Sequence, residues 1–162
     1  MLGYITGFAE GQANAFLADV AAALQAEGVT LAGVVQVNAG ARGTMDLHVL
    51  GGVDVVRISQ NLGPLSQGCR LDTAGLERAV GLVGMRMAAG VELLIVNRFG
   101  KQEAEGRGFR PLIGDALGAG VPVLLSVAQG YMAAFEDFAG GMGRALVPQR
   151  AAVMEFCREG IC

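Results

Sequence analysis

Residues 1 to 24, "MLGYITGFAEGQANAFLADVAAAL", decide how this chain is read. An apolar run at 1–5 gives way to the glycine-bearing stretch "TGFAEGQAN" at 6–14, and then to an alanine-rich segment. Ala13, Phe16, Leu17, Val20 and Leu24 recur at helical spacing, and Gly28 is a natural C-terminal stop. Strand, glycine turn and helix, in that order, is how a phosphate-binding loop is built. Such a loop reads G-x-x-x-x-G-K-[ST], with its lysine on the β- and γ-phosphates and its hydroxyl on magnesium. With Gly11 at the second glycine, Thr6 stands at the first, Gln12 at the lysine and Ala13 at the hydroxyl. The N–H groups and positive dipole end of the helix start would still draw an anion. A hydrogen bond to a charged group contributes about 1.5–3 kcal/mol, so losing lysine and hydroxyl removes about 3–6 kcal/mol, roughly two to four decades of affinity. Glu10 adds a carboxylate that repels phosphate if it points inward. A turn that merely joins strand to helix accounts for the same residues, so the loop alone does not decide between the two.

Outward from this stretch, the chain reads as one domain over residues 1–162, long enough to bury a sizeable core. At 52% hydrophobic and 17% charged residues, a packed globule is expected and disorder is not. The 26 glycines, about twice the usual share, imply many tight turns. A net charge of −3 argues against a general nucleic-acid binder. No segment is apolar for long enough to cross a bilayer, and the start has no positive n-region, so neither a membrane span nor a signal peptide is expected. Cys69, Cys157 and Cys162 lack metal-ligand spacing and leave one unpaired, which points to reduced thiols and a cytoplasmic location.

The run "TLAGVVQVN" at 30–38 reads as a buried strand. "MDLHVL" and "VDVVRISQ", joined through "GG", follow as a hairpin. Asp72 or Thr73 can cap a helix that carries Leu76, Val80, Val83 and Met87 on one face. "VELLIVN" at 91–97 and "VPVLLSVA" at 121–128 are uninterrupted apolar runs, as central parallel strands are. A polar loop follows the first of them, then a helix with Phe109, Leu112, Ile113, Ala116 and Leu117. "YMAAFEDFA" and "RAAVMEFCR" read as further helices. Strands alternating with helices predict a three-layer αβα sandwich around a mainly parallel sheet, with a β-hairpin inserted after the second strand.

Ligands of such sheets bind at the carboxyl ends of the strands. The second candidate segment leaves one of those ends: "LLIVNRFGKQEAEGRGFR", residues 93–110. It gathers Arg98, Lys101, Arg107 and Arg110 against Glu103 and Glu105, and Gly100, Gly106 and Gly108 permit unusual backbone geometry. Lys101 is the only lysine in a chain with 12 cationic side chains. It could replace the ammonium that the first loop lacks, facing the start of the first helix, while Glu103 orients water or a magnesium ion. A solvated charged face is the plainer account of the same run. His48, the only histidine, falls on an alternating strand, where a structural role is expected. Cys69 beside Arg70 could have a lowered pKa, but no histidine is near in sequence, and Asp72 is explained by helix capping.

Together, "LLIVNRFGKQEAEGRGFR", "MLGYITGFAEGQANAFLADVAAAL", "LAGVVQVN", "RISQNLG" and "GCRLD" resemble the bacterial domain-of-unknown-function family numbered 2478, up to about Val127. That resemblance implies no established activity; it carries an association with molybdenum uptake and cofactor metabolism. "LLIVNRFGKQE" is also similar to the strand and loop "VDEIGKME" of the small nucleoside-triphosphatases first described from thermophiles. This similarity implies the P-loop NTPase fold. In that family an Asp-Glu pair serves magnesium and water beside the γ-phosphate. Here Asn97 and Arg98 stand at the two acids, while Gly100, Lys101 and Glu103 match. The departures fall on groups that handle magnesium and phosphate, so they weigh against hydrolysis more than against the fold.

The expected site is therefore Thr6, Gly7, Phe8, Ala9, Glu10, Gly11, Gln12, Ala13 and Asn14 with Asn97, Gly100, Arg107 and Arg110. Lys101 would act on phosphate and Glu103 near water. The expected ligand is a small anion, either an ATP- or GTP-like nucleotide or a phosphate-like oxyanion, with magnesium the weaker expectation. The alternatives are a slow magnesium-dependent nucleoside-triphosphatase and a non-catalytic accessory protein of molybdenum metabolism. A protein partner or a homo-oligomer is compatible with either.

Overall fold

The computed structural model describes residues 1–9, 11–39, 43–61 and 70–161. β1 (Leu2–Ile5) gives way to the glycine turn, and α1 (Gln12–Ala26) begins directly after Gly11. Gly7 and Gly11 hold φ of 83° and 81°, left-handed values that any side chain would strain. Phe8 pins the turn to the helix, its ring centroid 5.2 Å from that of Phe16.

The chain continues through β2 (Leu31–Ala39), β3 (Thr44–Val49), β4 (Val55–Arg57) and α2 (Thr73–Ala88). Then come β5 (Leu93–Phe99), α3 (Lys101–Ala104), α4 (Arg110–Gly118), β6 (Val123–Val127), α5 (Met132–Ala139), β7 (Gly143–Ala145) and α6 (Arg150–Ile161). One seven-stranded sheet has the order β4-β3-β2-β5-β6-β1-β7. From β2 to β7 every neighbouring pair is parallel, whereas β3 runs against both β2 and β4. The inserted hairpin thus widens the sheet at the β2 edge.

Strand alternation sends side chains to two apolar layers. Ala32, Val34, Leu94, Val96, Val123 and Leu125 meet α2, α4 and α5 on one face. Leu31, Val35, Leu93, Ile95 and Leu124 meet α1 and α6 on the other. The central strands are buried on both faces, which is why they read as unbroken apolar runs. The Cys157 thiol lies inside this second layer, and burial pushes its pKa up to about 12, so it is held as an inert thiol. Cys69 and Cys162 lie outside the described residues. Among the described residues no helix is long and apolar enough to cross a membrane.

The structure differs from the reading at two places. The stretch after Asn97 is not a plain polar loop: β5 runs on to Phe99, and α3 starts two residues later. Phe99 is fully buried and packs edge-on against Phe135 at 5.4 Å, which extends the strand beyond its apolar run. β7 escaped the sequence because three residues, Gly-Arg-Ala, carry no readable period; pairing with β1 defines it. Asp72 does cap α2, its carboxylate accepting from Ala74 and Gly75 N–H at 3.1 and 3.2 Å.

Candidate anion-binding site

The carboxyl ends of β1, β5 and β6 surround a cavity of about 270 Å³. Its lining runs from Ile5 through Ala9, takes in Gly11, Ala13 and Asn14, and closes with Arg98 and the stretch Ser126–Gln129. Glu10 lies outside the described residues. The start of α1 has no side-chain cap and no acidic residue among those described in its first turn. Gln12 N–H donates to Ala9 O at 3.1 Å, which leaves the N–H groups of Ala13 and Asn14 and the positive dipole end of the helix at the cavity. Gln12 folds back over the loop, where its Oε1 accepts from Ala9 N–H at 3.1 Å. The residue at the lysine position thus occupies a loop N–H instead of offering a charge.

Behind the cavity lies a neutral hydrogen-bond network. Asn97 is 2% exposed, and its Oδ1 accepts from Gln36 N–H at 2.9 Å. Its Nδ2 donates to Asn14 Oδ1 at 2.9 Å and reaches Ser126 Oγ at 3.4 Å. One amide therefore ties the ends of β2, β5 and β6 to the first turn of α1. Among the described residues, no group of three or more His, Cys, Asp or Glu side chains is placed to hold a metal ion.

The segment 97–110 meets the loop only through its first two residues, Asn97 at Asn14 and Arg98 in the cavity. Arg98 is its cation in the loop cavity; Lys101 lines an adjoining cavity instead, together with Gly100 and Glu103. α3 starts immediately after Gly100, so Lys101 is its first residue and lines that second cavity. Arg107 pairs with Glu105 and donates to Gln102, and Arg110 sits 5.1 Å above the Phe138 ring; neither lines either cavity. Arg98, the strand-end cation, was counted in the sequence among the cations of this segment and as a departure from an acidic pair, but not placed in the expected site. Its register one residue after a buried asparagine was the signal available for its role.

Glu103 is 4% exposed, and its two oxygens accept from Gly100 N–H at 2.9 Å and Phe109 N–H at 3.0 Å. It braces the path from β5 to α4, and Gly108 has no room for a Cβ beside it, which would sit 1.8 Å from Glu103 Oε2. Glu103→Ala strands both donors, so chemical denaturation at neutral pH should show a loss of about 1–3 kcal/mol for each. Burial raises the Glu103 pKa above 4.5, against the N–H groups of Phe109 and Gly100 that lower it. A carboxyl raised on folding contributes stability below its unfolded pKa and loses it as pH rises through the folded one. Stability should accordingly fall as pH climbs from below 4.5 through that raised value, and Glu103→Gln should flatten the slope.

A mainly parallel sheet, helices on both faces and a glycine turn opening α1 at its carboxyl edge make a three-layer α/β domain with a P-loop NTPase-like fold. A solved human structure, "Solution Structure of a Human Cancer-Related Nucleoside Triphosphatase", shares this fold with a TM-score of 0.64. The match covers 89% of this chain and 86% of that one at 16% identity, so what it establishes is the fold. The chain belongs to the family described as "Protein of unknown function (DUF2478)", which matches residues 2–156. It is also 35% identical over 151 residues to "Molybdenum import ATP-binding protein ModC 2" of Bradyrhizobium diazoefficiens. That alignment covers 90% of this chain and 17% of the relative, so the chain spans less than a fifth of that protein's length.

Proposed function

We propose that this chain binds a nucleotide or another phosphate-like anion on the Thr6–Asn14 loop, with little or no hydrolysis. The observation that carries this reading is the loop cavity, where the uncapped start of α1 and the Arg98 side chain line one space. Two positive features around one cavity favour an anion. At about 270 Å³ the cavity falls just under the range of about 300–1,000 Å³ common for small-molecule sites, which suits a phosphate chain or a single oxyanion. Gln12, Ala13 and Asn97 weigh against turnover, since none supplies the ammonium, hydroxyl or carboxylate that phosphoryl transfer uses. The printed name of the 35%-identical relative, an ATP-binding protein, supports a nucleotide as ligand. A nucleotide ligand goes with a cytoplasmic location in a bacterial cell.

A second reading, a non-catalytic accessory protein of molybdenum uptake or cofactor metabolism, draws on the word "molybdenum" in that same name. Molybdate and phosphate are both tetrahedral oxyanions, so the loop cavity serves either. Calorimetric titration with pyrophosphate, ATP, GTP and molybdate, with and without magnesium, separates the readings. Binding that does not need magnesium, without phosphate release, is the expected result. Magnesium-stimulated release near about 10 s⁻¹, a median enzyme rate, would overturn it in favour of a nucleoside-triphosphatase. Arg98→Ala should weaken the bound anion by about ten- to a hundredfold, the effect of one charged hydrogen bond. An unchanged titration would remove Arg98 from the site.

A further inference from the structure

Beside the loop cavity lies a larger one, of about 420 Å³, and Arg98 and Ala128 line both. The inserted hairpin builds its wall: Met45 and Leu47 come from β3, and Ile58 directly follows β4. Leu47, Ile58 and Phe109 are buried apolar side chains, so the floor is greasy. The polar part of the lining has the opposite character. Arg70, Arg98 and Lys101 are exposed, and among the described residues none of the three is in an ion pair. Arg57, Arg107, Arg144 and Arg158, by contrast, each have a carboxylate partner. Glu103 is the one carboxylate among the described lining residues, and both its oxygens are held by backbone N–H groups.

Cations with no ion-pair partner among the described residues, set around an apolar floor, complement a ligand that is apolar in its body and negative at one end. We propose that this second cavity binds a small organic anion with a flat apolar body, an aryl phosphate or aryl carboxylate. The body lies on Met45, Leu47, Ile58 and Phe109, and the acid group meets Lys101 and Arg70. Lysine supplies a mobile point charge, and Arg70 is steadied by its Nη2–H donating to Gly43 O at 3.1 Å. Arg98 stands between the two cavities, so this ligand and the anion on the loop share one guanidinium. The hairpin that widens the sheet thereby gains a purpose, as the wall of a second ligand site. This inference does not depend on what the loop binds.

The test titrates the full chain with 1-naphthyl phosphate, 1-naphthoate and inorganic phosphate, following naphthyl fluorescence and heat. Both naphthyl compounds should bind at least about tenfold more tightly than inorganic phosphate, because apolar burial adds to the charge. The double variant Lys101→Ala, Arg70→Ala alters exposed side chains only; it should weaken both by about tenfold or more while leaving inorganic phosphate unaffected. Tight 1-naphthyl phosphate with weak 1-naphthoate assigns the acid group as a phosphate, and the reverse assigns a carboxylate. Naphthoate binding to a protein that takes up no phosphate, pyrophosphate, ATP, GTP or molybdate would remove the loop reading and leave this one standing. Naphthyl compounds that bind no better than inorganic phosphate, or that ignore the double variant, would overturn it.

Discussion

Replacing Gln12 by lysine and Ala13 by threonine together should tighten triphosphate binding by about two to four decades. The two substitutions return the ammonium and the hydroxyl that the loop lacks, at about 1.5–3 kcal/mol each. A third effect adds to them. Gln12 Oε1 currently accepts the Ala9 N–H, and a lysine cannot accept, so that donor is released toward the ligand. Gln12 is exposed and Ala13 half-buried at the head of α1, so the fold should tolerate both changes. Hydrolysis should remain low, because Asn97 still stands as a buried amide bonded to Gln36, Asn14 and Ser126. Calorimetry of ATP and of its non-hydrolysable analogue against both proteins reads the affinity directly. Equal dissociation constants would mean that the loop is not shaped for phosphate, and the proposed function would fall with it.

Gly33→Ala should be the most damaging single methyl among the described glycines. Gly33 lies inside β2 with φ of 118°, and a Cβ built there sits 1.8 Å from the Ile95 carbonyl oxygen of β5. That neighbour is backbone of a central strand, so it cannot turn aside as a side chain would. Overpacking costs about 1–3 kcal/mol and occasionally more, and the backbone strain adds about 1–3 kcal/mol, so a loss of about 2–6 kcal/mol is expected. Against a whole stability of about 5–15 kcal/mol, this is a large fraction of what holds the protein folded. Gly7→Ala is the internal comparison: its φ is 83°, but nothing lies within 4 Å of the added Cβ. It should lose the strain alone, about 1–3 kcal/mol, and disturb anion binding more than stability. Urea midpoints of the two variants check the order. A Gly33→Ala midpoint at or above that of Gly7→Ala would contradict the close approach of β2 and β5.

The alternation of apolar strands and amphipathic helices, the start of α1 after Gly11 and the cap at Asp72 were all legible in the sequence. They rest on local physics: side-chain period, left-handed glycines and a carboxylate two and three residues from the N–H groups it accepts. The inserted hairpin was legible for the same reason, through its alternating residues and the glycine pair between them. The site divides differently. That Gln12 and Ala13 replace lysine and hydroxyl can be read along the chain, because the pattern is a fixed spacing. Which cation faces the loop cannot, because Arg98 and Lys101 are separated by only Phe99 and Gly100. Phe99, drawn into the core by Phe135, keeps the strand going through Arg98 and leaves that side chain beside β1 and β6. Glu103, reaching back to Gly100 N–H, starts α3 at once and carries Lys101 over the next cavity. Local sequence determined the strand, turn and helix that make an anion site conceivable. The tertiary structure decided which charge completes it, because side-chain direction at a strand end depends on distant packing and not on neighbours in the chain.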